Sequence, residues 1–159
     1  AEVMLVGEAP GGDEDRVGRP FVGPAGQLLD LMLSAIGLDR TRVYITNIVP
    51  WRPPGNRNPS ANEVAICLPF LHRHIELVNP RILVLVGGVP ASALLGVKQG
   101  ITKMRGRWHI YRGNPNAQDG TEIPTMPIFH TAYLLRSPAK KKEAWRDLLE
   151  IKRRLEESG

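Results

Sequence analysis

Cysteine is almost missing from this chain: Cys67 is the one thiol in 159 residues. A single cysteine excludes an internal disulfide framework and cannot hold a structural zinc on its own. Long apolar runs are missing too. The longest, Gln27 to Ile36 and Arg81 to Val86, fall well short of the roughly 20 residues that a helix needs to cross a bilayer, so the sequence predicts no membrane partner. The opening Ala-Glu-Val-Met-Leu-Val-Gly reads as a buried strand rather than a secretory leader, which predicts a cytoplasmic protein trimmed of an N-terminal segment. Repeats and low-complexity tracts are lacking, and the Pro/Gly-rich pieces are short enough to be loops. With 42% hydrophobic residues, the chain is expected to form one domain over residues 1–159.

What is present is uneven charge. The net charge is +5, and the segment from Arg136 to Arg154 carries eight basic residues against three acidic ones, which alone matches the total. Such a patch attracts phosphates. Many helices carry a solvated Lys/Arg face with no such role, so the patch does not decide function by itself.

Four short β-prone runs, Glu2 to Val6, Val43 to Asn47, Arg81 to Val86 and Thr125 to Phe129, alternate with helical stretches. This alternation predicts a three-layer α/β/α sandwich around a central, mainly parallel four-stranded sheet. A first helix is expected from about Gly26 to Ile36, apolar almost all round and therefore buried, with Gly37 ending it. Ser60 and Glu63 have capping-box spacing, while Pro69 should divide the helical stretch after them into a short helix to Cys67 and a second one to Val78. A small helix over Pro90 to Leu95 and a long one from Lys140 to Leu155 complete the set. Residues 101–123 read as an irregular excursion with edge strands.

Ligands of open parallel sheets bind beyond the carboxyl ends of the strands, so the loops after Val6, Asn47, Val86 and Phe129 should converge. The loop after the first strand, Gly7-Glu8-Ala9-Pro10-Gly11-Gly12-Asp13-Glu14-Asp15, holds carboxylates but matches neither a phosphate loop nor a dinucleotide fingerprint. Phe21 lies between glycines, where backbone can pass close to a flat ligand, although a lone loop phenylalanine is more often core. Asn47 ends the second strand, where its amide can read a base edge or cap a turn. His130 follows the last strand; an isolated histidine is more often structural. Spacing of two sends His72 and His74 to different helix faces, which argues against a zinc site. Cys67 lacks a flanking base and reads as a buried thiol rather than a nucleophile.

Taken together, these segments resemble a known family. Gly7-Glu8-Ala9-Pro10-Gly11, Gly18-Arg19-Pro20-Phe21-Val22-Gly23, Ala25-Gly26-Gln27-Leu28-Leu29, Tyr44-Ile45-Thr46-Asn47, Arg52-Pro53-Pro54-Gly55-Asn56-Arg57 and His130-Thr131-Ala132-Tyr133-Leu134-Leu135-Arg136 are similar to successive motifs of family-four, iron-sulfur uracil-DNA glycosylases. The resemblance covers nearly the whole chain. It implies a monofunctional DNA-repair hydrolase that removes uracil from single- or double-stranded DNA as a monomer and leaves an abasic site for base excision repair. Phe21 would stack on the flipped base. Asn47 would accept from uracil N3–H and donate to O4, a pattern that cytosine reverses. His130 would donate to O2 as negative charge grows there. Glu8 would position water and Glu14 would brace the loop, although either carboxylate can equally be a salt-bridge partner. Gly7, Ala9 and Gly11 would line the base pocket. Ala9 stands where the best-known uracil glycosylases carry a catalytic Asp, and Gly11 stands where other branches carry a tyrosine that rejects thymine. Leu134, Leu135 and Arg136 resemble the minor-groove wedge, one leucine inserted and the other buried, with Lys140, Lys141 and Lys142 on phosphates.

Two features depart from the family. Its [4Fe-4S] cluster takes four cysteines, of which this chain keeps only Cys67. Trp51 occupies the preceding ligand position, and the region for the first two ligands is absent, so no cluster or other cofactor is expected. Thr131 replaces the proline that usually follows the histidine. These departures motivate a competing reading, a uracil- or DNA-binding module of the same fold with reduced or lost turnover. Hydrolysis of free nucleosides or of another damaged base is a third.

Overall fold

The computed structural model describes residues 2–9, 22–51, 59–113 and 122–158. Among them, five strands form one sheet in the order β2-β1-β3-β5-β4. These are β1 (Val3–Gly7), β2 (Val43–Asn47), β3 (Ile82–Val86), β4 (His109–Tyr111) and β5 (Ile123–Ile128). β2, β1, β3 and β5 run parallel, and β4 pairs antiparallel with β5. The four strands read from the sequence are thus the parallel body of the sheet. The fifth is the edge strand inside the 101–123 excursion, too short at three residues to announce itself by alternation.

Helices cover both faces: α1 (Pro24–Ala35), α2 (Ala61–Val78), α3 (Gly88–Leu95), α4 (Ile101–Met104), α5 (Thr131–Arg136) and α6 (Lys141–Ser158), with a 3-10 turn over Pro138–Lys140 before α6. The pleat explains the two cores. Val3, Leu5, Val84, Val86 and Ile128 pack on one side with Leu29 and Leu33 of α1 and Leu148 and Ile151 of α6. Met4, Val6, Leu83 and Leu85 pack on the other with Leu71 and Ile75 of α2 and Leu94 of α3. Strands buried on both faces must be apolar throughout, as β1 and β3 are.

Two helical expectations are corrected. α1 is not buried all round: Leu29 and Leu33 are sunk in the core, but Leu31 is 69% exposed, because the helix lies on the sheet by one face. α2 is not broken at Pro69 and runs unbroken through Val78. Pro69 is exposed, so the Ala65 carbonyl left without its N–H partner faces solvent, while Cys67, Leu71 and Ile75 bury the opposite face. The Ser60–Glu63 capping box forms as read, and α2 ends on Asn79 in the left-handed region just before Pro80. α5 is a further difference, since its residues read from sequence as a loop.

No helix among the described residues is long and apolar enough to cross a membrane.

Candidate active site

The chain runs from β1 to β2 on one side and then crosses to β3 on the other, so the order of connections reverses between β1 and β3. At such a switch point adjacent loops diverge and leave a crevice beyond the strand ends. Glu8 follows β1, Gly87 follows β3 and His130 lies just beyond β5. All three line one cavity of about 380 Å³, together with Phe129, Tyr133 and Arg136. The size suits a nucleoside-scale ligand.

Gly87 is the hinge of this arrangement. Its φ of +107° is costly for any residue with a side chain. A Cβ there would lie 3.2 Å from Glu8 Oε1 and 3.6 Å from His130 Cδ2. The carboxylate and the imidazole therefore approach the same point from two strands, and the missing side chain leaves room for the carboxylate. Burial pushes the Glu8 carboxyl above its ordinary value, which makes it a better proton acceptor than a solvated carboxylate.

His130 is the N-cap of α5, and its Nδ1 accepts the Ala132 N–H at 3.0 Å. A nitrogen that accepts cannot carry the proton, so the neutral ring holds it on Nε2. Next to it, Thr131 is fully buried at the first helical position, and its hydroxyl finds no partner among the described residues.

Asn47 ends β2 in register with Gly7, and the chain after it stays paired with β1: Ile48 N–H donates to Gly7 O at 2.9 Å and Val49 N–H to Glu8 O at 3.0 Å. Asn47 and His130 thus share one sheet edge three strand spacings apart, about 14 Å between backbones. Asn47 is not among the residues lining the Glu8–His130 cavity. Ala9 packs against the core of the α2 face. Gly11, Glu14 and Phe21 lie outside the described residues.

Leu134 is fully buried with Phe129 and Ala144 and so faces the core, not solvent; Leu135 is 45% exposed. Lys140 pairs with Glu143 at 3.6 Å, whereas Lys141 and Lys142 are exposed. Sequence reasoning points to the loop after Val86 but singles out no residue in it. The signal is the glycine pair Gly87-Gly88 at a strand end. Tyr133, whose ring lies 5.0 Å from that of Phe129, belongs to the His130 motif, yet its sequence context assigns it no role.

The model of the uracil DNA glycosylase superfamily matches residues 1–149. This chain belongs to that superfamily. It is 40% identical over 158 residues to a type-4 uracil-DNA glycosylase of Sulfurisphaera tokodaii, covering 96% of this chain and 69% of that protein. A type-4 uracil-DNA glycosylase of Pyrobaculum aerophilum is 42% identical over 148 residues, covering 92% and 74%. One of Thermotoga maritima is 43% identical over 136 residues, covering 85% and 67%.

The four-thiolate cluster that the resemblance implies does not fit the residues present. Cys67 is buried in α2, and its thiol is pushed up first by burial and then by the charge of Glu63. The Trp51 indole donates to Glu63 Oε2 at 3.0 Å instead of offering a ligand. His72 and His74 bond to different tyrosines, Tyr111 at 2.6 Å and Tyr44 at 2.8 Å. Among the described residues no three His, Cys, Asp or Glu side chains gather as a metal site.

Proposed function

We propose that this protein hydrolyses the N-glycosidic bond of uracil in DNA, leaving an abasic site for base excision repair. The observation that carries the reading is the meeting of Glu8 and His130 at Gly87, in one cavity at the switch point of the sheet. Membership of the superfamily supports it.

In this reading the C1′–N1 bond breaks and its electron pair moves onto the uracil ring, where charge collects at O2. His130 Nε2–H donates to O2 and stabilises that charge. Water adds to C1′ from the side of Glu8, which orients it and takes its proton. Asn47 reads N3–H and O4 from the β2 end, Phe21 stacks on the base, and Gly7, Ala9 and Gly11 shape the pocket floor. Glu14 braces the first loop. Leu135 is the leucine that enters the gap left by the flipped base, and Arg136, Lys140, Lys141 and Lys142 hold phosphates. The protein acts in the cytoplasm as a monomeric single domain over residues 1–159, on single- or double-stranded DNA, without a bound cluster.

Incubation with a uracil-containing oligonucleotide followed by alkali tests the proposal. Strand breaks at the uracil are expected. Binding without breaks would replace this reading with that of a binding module, which the unpartnered Thr131 hydroxyl beside His130 favours. Inhibition of cleavage by free deoxyuridine would point to nucleoside hydrolysis.

A further inference from the structure

The outer face of α6 divides into two halves. In the second half the cations are neutralised within the helix: Lys152 lies near Glu156, and Arg153 bonds both Glu150 and Glu157. Arg154 lies over the Trp108 ring, 5.1 Å from its centroid. The first half is different. Lys141, Lys142 and Arg146 are exposed and make no ion pair among the described residues. The acids that could quench them are turned away, because Asp147 is buried against Arg105, and Glu143 faces Lys140 and Arg105.

Unpaired cations in the first turns of a helix oppose its dipole, whose N-terminal end favours negative charge. A local rule broken without an internal gain points to an external partner. At the centre of this patch stands Trp145, four residues from Lys141 and three from Lys142, with 43% of its surface open; Leu149, one turn on, is 42% exposed. A large aromatic ring ringed by unpaired cations matches a surface that binds a polyanion carrying flat, stackable groups.

We propose that the first half of α6 is a docking surface for single-stranded nucleic acid, with phosphates on Lys141, Lys142 and Arg146 and one base stacked on Trp145. A short stretch of chain connects it to the active-site cavity. Arg136 lines that cavity at the end of α5, and only Ser137 and the turn Pro138–Lys140 separate it from α6. A strand whose nucleotide occupies the cavity would run on across Trp145. The inference rests on the DNA-substrate reading for the choice of polyanion, and it adds a contact that no part of the cavity supplies.

Fluorescence anisotropy with a short, uracil-free single-stranded oligonucleotide tests it. Trp145→Ala should weaken binding about tenfold or more, the loss of one stacked base, and Trp145→Phe should restore most of it. The triple change Lys141→Ala, Lys142→Ala, Arg146→Ala should flatten the salt dependence, which Trp145→Ala should leave in place. Equal affinity of wild type and Trp145→Ala would overturn the proposal. So would a Trp145→Ala defect confined to anionic phospholipid vesicles, which would make this a membrane-facing surface. Should Trp145→Ala melt early, Trp145→Phe against the triple variant still decides. Uracil release by the wild type is scored separately. Trp145-dependent binding without release removes the enzymatic reading and keeps this one, and release with Trp145-independent binding does the reverse.

Discussion

The Nδ1 atom of His130 accepts the backbone N–H of Ala132 at 3.0 Å, so one ring both caps α5 and presents Nε2–H. The two roles can be separated. Asparagine is an excellent N-cap but cannot place a donor where Nε2 lies. His130→Asn should keep the melting temperature close to wild type while uracil release falls about 100- to 1,000-fold. His130→Ala should lose both, with about 1 kcal/mol of stability gone with the cap. Thermal melts and single-turnover uracil release on the two variants check this. Equal activity of His130→Asn and wild type would remove the ring from the chemistry.

Glu8 should cost the fold stability at neutral pH. Burial raises its carboxyl above the ordinary value of 4.5, so the folded state disfavours the charge, and the cost is present above the raised value. It disappears as pH falls below about 4.5, where both folded and unfolded forms are protonated. Glu8→Gln is therefore expected to melt higher than wild type at pH 7 to 8, to lose that advantage near pH 4, and to release uracil roughly 100- to 10,000-fold more slowly. A gap in melting temperature that does not narrow with falling pH would refute the burial argument.

Asn47→Asp should weaken the rejection of cytosine, because a protonated carboxyl can present the donor and acceptor pattern that cytosine needs. The ratio of cytosine to uracil release should rise about 10- to 100-fold, the scale of one or two mismatched hydrogen bonds. An unchanged ratio would place base selection elsewhere.

Gly106 has φ of +74°, and a Cβ there would sit 2.6 Å from Asp147 Oδ1. Asp147 is buried and held by Arg105 through Nε at 2.9 Å and through a second guanidinium nitrogen at 2.5 Å. Arg105 in turn lies 5.8 Å from the centroid of Phe129, which lines the cavity. Gly106→Ala should break this pair and leave a buried carboxylate without its partner, a loss of about 3–5 kcal/mol in chemical denaturation. A loss near zero would mean that the turn relaxes without moving Asp147.

Thr131 occupies the first helical position of α5, where proline is at home because its missing N–H has no helical partner. Thr131→Pro and Thr131→Val both remove a buried, unpaired hydroxyl, and each should stabilise the fold by about 1 kcal/mol or more. Differential scanning calorimetry reads the shift, and a lower melting temperature for Thr131→Val would show that the hydroxyl is satisfied in solution.

Much of this was legible in the sequence because β1 and β3 are apolar throughout and Ser60, Glu63 and Gly37 punctuate the helices by local chemistry. Where tertiary packing decides, local reading failed. Pro69 is tolerated in α2 because the opposite face is anchored on the sheet, and Leu31 is exposed because α1 uses one face only. At the site, His130 and Glu8 were readable as chemical groups, but Gly87 was not, since its importance lies in what two distant strands bring to it. The capping role of His130 was also hidden, because it requires a helix that six residues of mixed propensity do not advertise.

Among the described residues, Asn47 sits on an outermost ribbon of the sheet, bonded to a neighbour on one side only, whereas Glu8 and His130 extend from ribbons flanked on both sides. In the proposed reading, the part that would choose the base and the parts that would sever the bond are thereby anchored with unequal firmness. Drift or deliberate engineering can retune which lesion is accepted at the margin while the severing machinery, locked in the middle, stays as it is.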